Sequence, residues 1–376
     1  MKVTFTHFRA ENEVIARLNK LRRWTEITSD SRYDELSKQA LNCIAAFLLA
    51  KHLEYLGQDI SYEKFPKIAM GRAFAKAFVY YDTPEHAINE ICKLGSIGKK
   101  AFDEVASQII TEKSDAEFAK LISEKGIGTE VEIYKAATKI ASLVEVLEFE
   151  HKSVERIVEE IEEGLKPFYY IPGVQEFTDR RNEVFKLLQQ ISRLRNQVRW
   201  ATNYYGIECS VLGHLFDTAV FAYLMAYDET GGDETFATKM FFMGIWHDVA
   251  EAWTKDIPSP IKNRIDGYRK ATEKFELIKL NERVYSVLPD YLTKAIKEVM
   301  LEEEVNTKCK DKVKAADYLS AASECWRQII SGTHDSYFSK AILGEIKHLS
   351  PAGEELHEAF KKVARHHLQE VEAYLI

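Results

Sequence analysis

"FFMGIWHDVAEAWTKDIPSP", residues 241–260, sets His247 beside Asp248, puts Glu251 three residues further on, and reaches Asp256 just ahead of two prolines. The run from 236 to 254 reads as one helix that stops near Pro258 and Pro260, because proline lacks the N–H that a helix interior needs. Neighbours on a helix diverge by about 100°, yet His247 and Asp248 reach sideways far enough to meet at a helix edge. Glu251 follows His247 by four residues and shares its face one turn on. The stretch is therefore either a metal-centred catalytic site or a helix that carries polar residues. With 11 histidines in the chain, one chance His-Asp dipeptide is about an even bet. The pair alone decides nothing.

Its neighbours in sequence decide more. Residues 211–227 read as a helix, with Val211, Leu215, Ala219, Ala222 and Ala226 at a helical step. Residues 312–331 read as another, with Val313, Ala316, Leu319 and Cys325 on or near one face. Eight prolines and 17 glycines are few for 376 residues, and apolar residues recur at three- and four-residue steps. That combination predicts an all-α protein. An apolar share of 46% permits a core and argues against wholesale disorder. The length predicts two domains.

The chain also resembles itself. "RLNKLRRW" ends at Trp24 and "RLRNQVRW" at Trp200, and "NEV" precedes each. "AMG" (69–71) lies ahead of "DTP" (82–84), as "FMG" (242–244) lies ahead of "DIP" (256–258). "YKAAT" (134–138) answers "VKAAD" (313–317). The spacing drifts only from about 170 to about 180 residues, as a diverged duplication would give. Between the copies, "EEGLKPFYYIPGV" (162–174) gathers two glycines and two prolines and marks the boundary. The expected division is 1–165 and 174–376, two tandem helical lobes.

Within the second copy, His214, His247, Asp248 and Asp317 each fall on one of these apolar helices. Buried charge is costly unless it is paired or bound to metal. Two imidazoles and two carboxylates make a mixed nitrogen and oxygen site suited to a divalent ion. A lone His214 has another reading as a hydrogen-bonded core histidine, and a lone Asp317 as a cap or ion-pair partner.

Taken in order, "RW" (199–200), His214, "HDVAEAWTKDIPSPIK" (247–262) and "KAADYLSA" (314–321) resemble the HD-domain phosphohydrolase superfamily, and most closely its bacterial 5′-deoxynucleotidase branch. The likeness covers roughly residues 190 to 330. It implies that His214, His247, Asp248 and Asp317 bind one divalent metal ion, whether Mn, Co, Fe, Ni, Zn or Mg. Glu251 would handle the proton of the attacking water or the leaving group, and Asp256 would assist. Arg199 would grip the phosphate and Trp200 would pack on the nucleoside. The implied activity is release of phosphate from nucleoside 5′-monophosphates, deoxy ones included. Other phosphoesters or a nucleoside triphosphate are alternatives within the enzymes, and a non-catalytic nucleotide-sensing or scaffold protein is the alternative outside them. One departure stands out: the family often carries glutamate just before the first histidine, where this chain has Gly213.

In the first copy the ligands are gone. Lys38 stands at the place of His214, Phe74 and Ala75 at those of His247 and Asp248, and Thr138 at that of Asp317. A degenerate HD-like lobe without metal is expected there, acting as a built-in partner in place of a second subunit. The chain would then be a monomer with an internal pseudo-dimer, or a homo-oligomer. A net charge of −8 predicts no broad nucleic-acid surface. No apolar run approaches the roughly 20 residues of a membrane span, and the opening "MKVTFTHFRAENEV" has no signal-peptide core. The five cysteines form no CxxC pair. A cytoplasmic protein with buried thiols is expected.

Overall fold

The computed structural model describes residues 5–341 apart from 26, 28–30, 82, 84, 96–97, 123–127, 150–153, 202, 204–205, 256–264, 301–306, 334–336 and 339. The chain is all-α, as its periodicity predicts. Ahead of the proline-glycine segment lie the helices α1 (Phe5–Lys20), α2 (Glu35–Tyr55), α3 (Lys64–Ala75), α4 (Glu85–Gly95), α5 (Lys99–Lys113), α6 (Ala116–Ile122), α7 (Thr129–Val146) and α8 (Glu155–Leu165). After the proline-glycine segment come α9 (Val174–Thr178), α10 (Glu183–Ser192), α11 (Val211–Glu229), α12 (Glu234–Trp246), α13 (Glu251–Thr254), α14 (Tyr268–Leu280), α15 (Asp290–Val299) and α16 (Thr307–Ile330). The one ribbon among the described residues pairs β1 (Val198–Arg199) antiparallel with β2 (Cys209–Ser210).

Two helices form the centre. α2 and α11 are buried along almost their whole length, as expected of helices that are apolar nearly all round. They pack on each other; α2 also packs on α7, and α11 on α12 and α16. Phe47 of α2 meets Phe242 and Trp246 of α12 with ring centroids 5.0 and 5.7 Å apart. One hydrophobic core runs through both halves of the chain. Polar links cross the same boundary. Asn19 Nδ2 donates to the Glu208 carbonyl at 2.9 Å, and Ser37 Oγ and Ser210 Oγ lie 2.8 Å apart. The buried Arg327 bonds both Asn12 and Asp217. Four of the five cysteines are buried and all five are free.

Local interactions recur at a nearly constant spacing along the chain. Glu35 N bonds Leu21 O at 3.0 Å, and Val211 N bonds Gln197 O at 2.9 Å. Ile27 N bonds Trp24 O, and Asn203 N bonds Trp200 O, both at 2.9 Å. Asp34 caps α2 through Ser37 N, and Ser210 caps α11 through Gly213 N. Trp24 and Trp200 both hold a left-handed backbone, φ 56° and 62°. Tyr81 and Lys255, each just ahead of an Asp-x-Pro, do the same at φ 48° and 64°. Such conformations persist outside glycine only where the surroundings enforce them, so their repetition reports a shared local build.

The expected helix over 236–254 is not continuous. α12 ends at Trp246, and the next turns close by bonds three residues long: Val249 N to Trp246 O, Glu251 N to Asp248 O, and Ala252 N to Val249 O. The His247 imidazole explains part of this. Its Nδ1 lies 2.7 Å from the Gly244 carbonyl oxygen, the acceptor that a continuing helix would give to the Asp248 N–H. His247 and Asp248 thus sit on a tightened turn at the helix end. Gly244 sets its depth: a Cβ there would come 2.7 Å from the Ala219 Cα, so α12 can lie close on α11 only with glycine at this position.

Candidate metal centre

Three elements deliver the ligand candidates. His214 lies in the first turn of α11, His247 and Asp248 on the turn after α12, and Asp317 in the middle of α16. His214 Nε2 is 3.0 Å from Asp317 Oδ1. The imidazoles of His214 and His247 meet edge to face, with centroids 5.3 Å apart. One ligand atom each from His214, His247 and Asp317 lies within 4.8 Å of the other two. Asp248 joins them through His247, with Oδ2 2.9 Å from Nε2. The sequence alone does not bring these residues together; the packing of α11 against α12 and α16 does.

The donor set fits a divalent ion. With its proton on Nδ1 toward Gly244 O, His247 presents a lone pair at Nε2, which is buried and has no hydrogen-bond partner of good geometry. In this neutral form the lone pair and a carboxylate oxygen 2.9 Å apart repel unless a cation lies between them, a proton on Nε2 when no metal is bound or the metal ion in its place. Carbonyl-anchored imidazoles of this kind are the usual metal-ligating form. Burial raises the carboxyls of Asp248 and Asp317. The imidazoles beside them, and the Lys314 ammonium for Asp317, outweigh it and hold both below the ordinary carboxylate range. Both therefore offer charged oxygens. Burial and the Arg199 guanidinium lower the His214 pKa, while Asp317 and Glu324 raise it, with a net rise to about 9. An ion taken at Nε2 would displace that proton.

Beneath the candidates lies Glu324, which the sequence reading missed. Its Oε1 is 3.3 Å from His214 Nδ1, and its Oε2 accepts from Arg199 Nε at 3.0 Å and Trp200 Nε1 at 2.8 Å. Ser320 Oγ stands 2.9 Å from the same Nδ1. Burial works against the Glu324 carboxyl, but Arg199 and His214 pull it down to about 2. A signal for it existed. Asp317, Ser320 and Glu324 fall at helical steps of three and four, on one face of α16. Glu145 of α7 plays the same part in the first copy: its Oε2 takes Arg23 and Trp24 at 3.1 Å each. Glu324→Gln keeps the shape and removes the charge. It is expected to weaken divalent-metal affinity by about 10–100-fold, the usual cost of losing such a support, which a metal titration followed by calorimetry will read.

The other candidates divide. Glu251 opens α13 with its side chain buried. Arg199 and Trp200 are half-buried at the edge of the centre, clamped to Glu324. Asp256 lies outside the described residues. At Gly213 a Cβ would be tight, 3.1 Å from Leu36 Cδ2 and 3.2 Å from Ser210 Oγ, so the glutamate often found in the family would need these side chains to shift by a few tenths of an ångström.

The chain is 28% identical over 158 residues to the 5′-deoxynucleotidase YfbR of Shigella boydii, a match covering 41% of this chain and 77% of that protein. The same identity and coverage hold for a 5′-deoxynucleotidase of Citrobacter koseri and for 5′-deoxynucleotidase YfbR of Escherichia coli O1:K1. In its carboxy-terminal region, residues 186–368, the chain matches the family of YfbR-like 5′-deoxynucleotidases.

Proposed function

We propose that the second copy, residues 174–376, is a metal-dependent phosphomonoesterase that releases phosphate from nucleoside 5′-monophosphates, deoxynucleotides among them. The observation that carries this reading is the convergence of His214, His247 and Asp317 on one point, with Asp248 against His247. The relatives' printed activity supports the substrate class.

His214, His247, Asp248 and Asp317 would hold the ion, and the chemistry supplied there would be Lewis acidity toward the phosphoryl oxygens and a water acidic enough to react near neutral pH. Glu251 takes the proton of the attacking water or returns one to the leaving oxygen. Arg199 is aimed by its bond from Nε to Glu324, and its planar guanidinium suits the phosphate. Trp200 lies beside it, with the Arg199 guanidinium carbon 5.9 Å from its ring centroid, and takes the nucleoside face. Asp256 assists as a second acid–base group or by holding a sugar hydroxyl. No covalent intermediate is required, because phosphoryl transfer depends mostly on position and charge.

The test is a phosphate-release screen of 5′-deoxy- and 5′-ribonucleoside monophosphates and of the matching triphosphates, with Mn, Co, Mg and Zn. Release from monophosphates is expected to exceed release from triphosphates. Phosphate release from triphosphates alone would remove the substrate assignment, and no release under any condition would leave a binding protein.

A further inference from the structure

The first copy has lost the ligands but not the space. A cavity of about 1220 Å³ opens there, reaching α2, α3, α5, α7 and α8. Arg23, Trp24, Lys38, Ala75 and Thr138 line it. These are the positions that answer Arg199, Trp200, His214, Asp248 and Asp317 in the second copy. The cavity therefore lies where the repeat puts a second site, and its build has been kept. Arg23 and Trp24 are clamped to the buried Glu145 as Arg199 and Trp200 are to Glu324.

The chemistry has changed from metal to fixed cations. Lys38 is fully buried and donates to Thr138 O at 3.0 Å and Ser142 Oγ at 2.9 Å, with Glu145 Oε2 3.8 Å away. An ammonium thus occupies the neighbourhood that His214 gives to the ion. Arg72, Lys76 and Lys139 line the same cavity, and among the described residues none of the three is in a salt bridge. The Arg72 guanidinium carbon lies 5.4 Å from the Tyr134 ring centroid. The lining carboxylates Glu35, Glu160 and Glu163 are each bonded to a cation already, and Asp103 and Glu159 are exposed. Ile68, Ile110, Ile122, Val131, Ile157 and Ile161 give the remainder an apolar wall. Unpaired guanidinium and ammonium groups on a half-buried wall suit a phosphate. The volume exceeds what a bare phosphate needs and leaves ample room for a small organic ligand. Four residues after Phe74, where Glu251 follows His247, stands the apolar Phe78, so no proton acceptor answers Glu251.

We propose that the first copy binds a nucleoside monophosphate without hydrolysing it, the phosphate against Arg72, Lys76 and Lys139 with Lys38 behind them, and the nucleoside between Trp24 and the apolar wall. The choice of a nucleoside monophosphate over another phosphorylated small molecule rests on the reading proposed for the second copy. Burial depresses the Lys38 pKa to about 7 despite Glu145, and a bound dianion would hold its proton.

Calorimetric titration of the full chain in chelator with dAMP and with inorganic phosphate tests this. One dAMP per chain is expected, bound about tenfold or more tighter than phosphate. That binding survives Arg199→Ala and weakens about tenfold or more in Arg72→Ala/Lys139→Ala. No dAMP binding by the wild type, or binding lost in Arg199→Ala and kept in the double variant, overturns the site. Phosphate binding as tightly as dAMP overturns the nucleoside assignment. Phosphate release by the same proteins with Mn is read separately. Failure of that activity with the binding intact counts against the second-copy reading alone.

Discussion

Asp248→Ala is expected to cut metal-stimulated phosphate release by at least about a thousandfold. In the proposed centre Asp248 is one of two carboxylates, and it sits 2.9 Å from His247 Nε2. Its loss would remove a negative charge from the ion's surroundings. An ion acting as Lewis acid is worth several kcal/mol in the transition state, and about 4 kcal/mol is about a thousandfold in rate. The fold does not depend on this residue in the same way. The Asp248 side chain is 31% exposed and lies on a turn, outside the helix ladders. Thermal melting of the variant is expected to stay close to that of the wild type. Activity within about tenfold of wild type would be incompatible with Asp248 as a ligand.

Glu251→Gln is expected to lower kcat by about 10²–10⁴-fold, the range usual for removing a positioned acid–base group. Glutamine fills the same space and can still accept a hydrogen bond, but it cannot take a proton at neutral pH. Glu251 is buried at the start of α13, a turn beyond His247 and Asp248, so the substitution is expected to leave those candidate ligands in place. Metal stoichiometry and affinity are therefore expected to match those of the wild type. An unchanged kcat would remove Glu251 from the proton transfer. A fall in kcat that merely tracks lost metal would make it a support of the centre.

The all-α class was legible because periodicity and scarce breakers act locally. The same holds for α11, found at Val211–Glu229 where 211–227 was expected. The break at His247 was not legible. It depends on an imidazole reaching back to the Gly244 carbonyl and on the close seat of α12 on α11 at Ala219. Both are set by tertiary packing. The ligand candidates could be named from spacing and resemblance, but their approach depends on three helices meeting. Glu324 escaped because a lone buried glutamate has no motif of its own. Its helical spacing from Asp317 and Ser320 hints at it, and the clamp it makes with Arg199 and Trp200, repeated by Glu145 with Arg23 and Trp24, shows its part. The cavity of the first copy was beyond reach for the same reason: its cations come from α2, from α3 and the turn after it, and from α7.

The most direct test of the metal centre is phosphate release from dAMP by the full chain, measured with Mn or Co, after chelation, and after the ion is restored. Release is predicted with the ion, its loss in chelator, and its return on adding the ion back. Release that continues unchanged in chelator would contradict a centre built on His214, His247, Asp248 and Asp317.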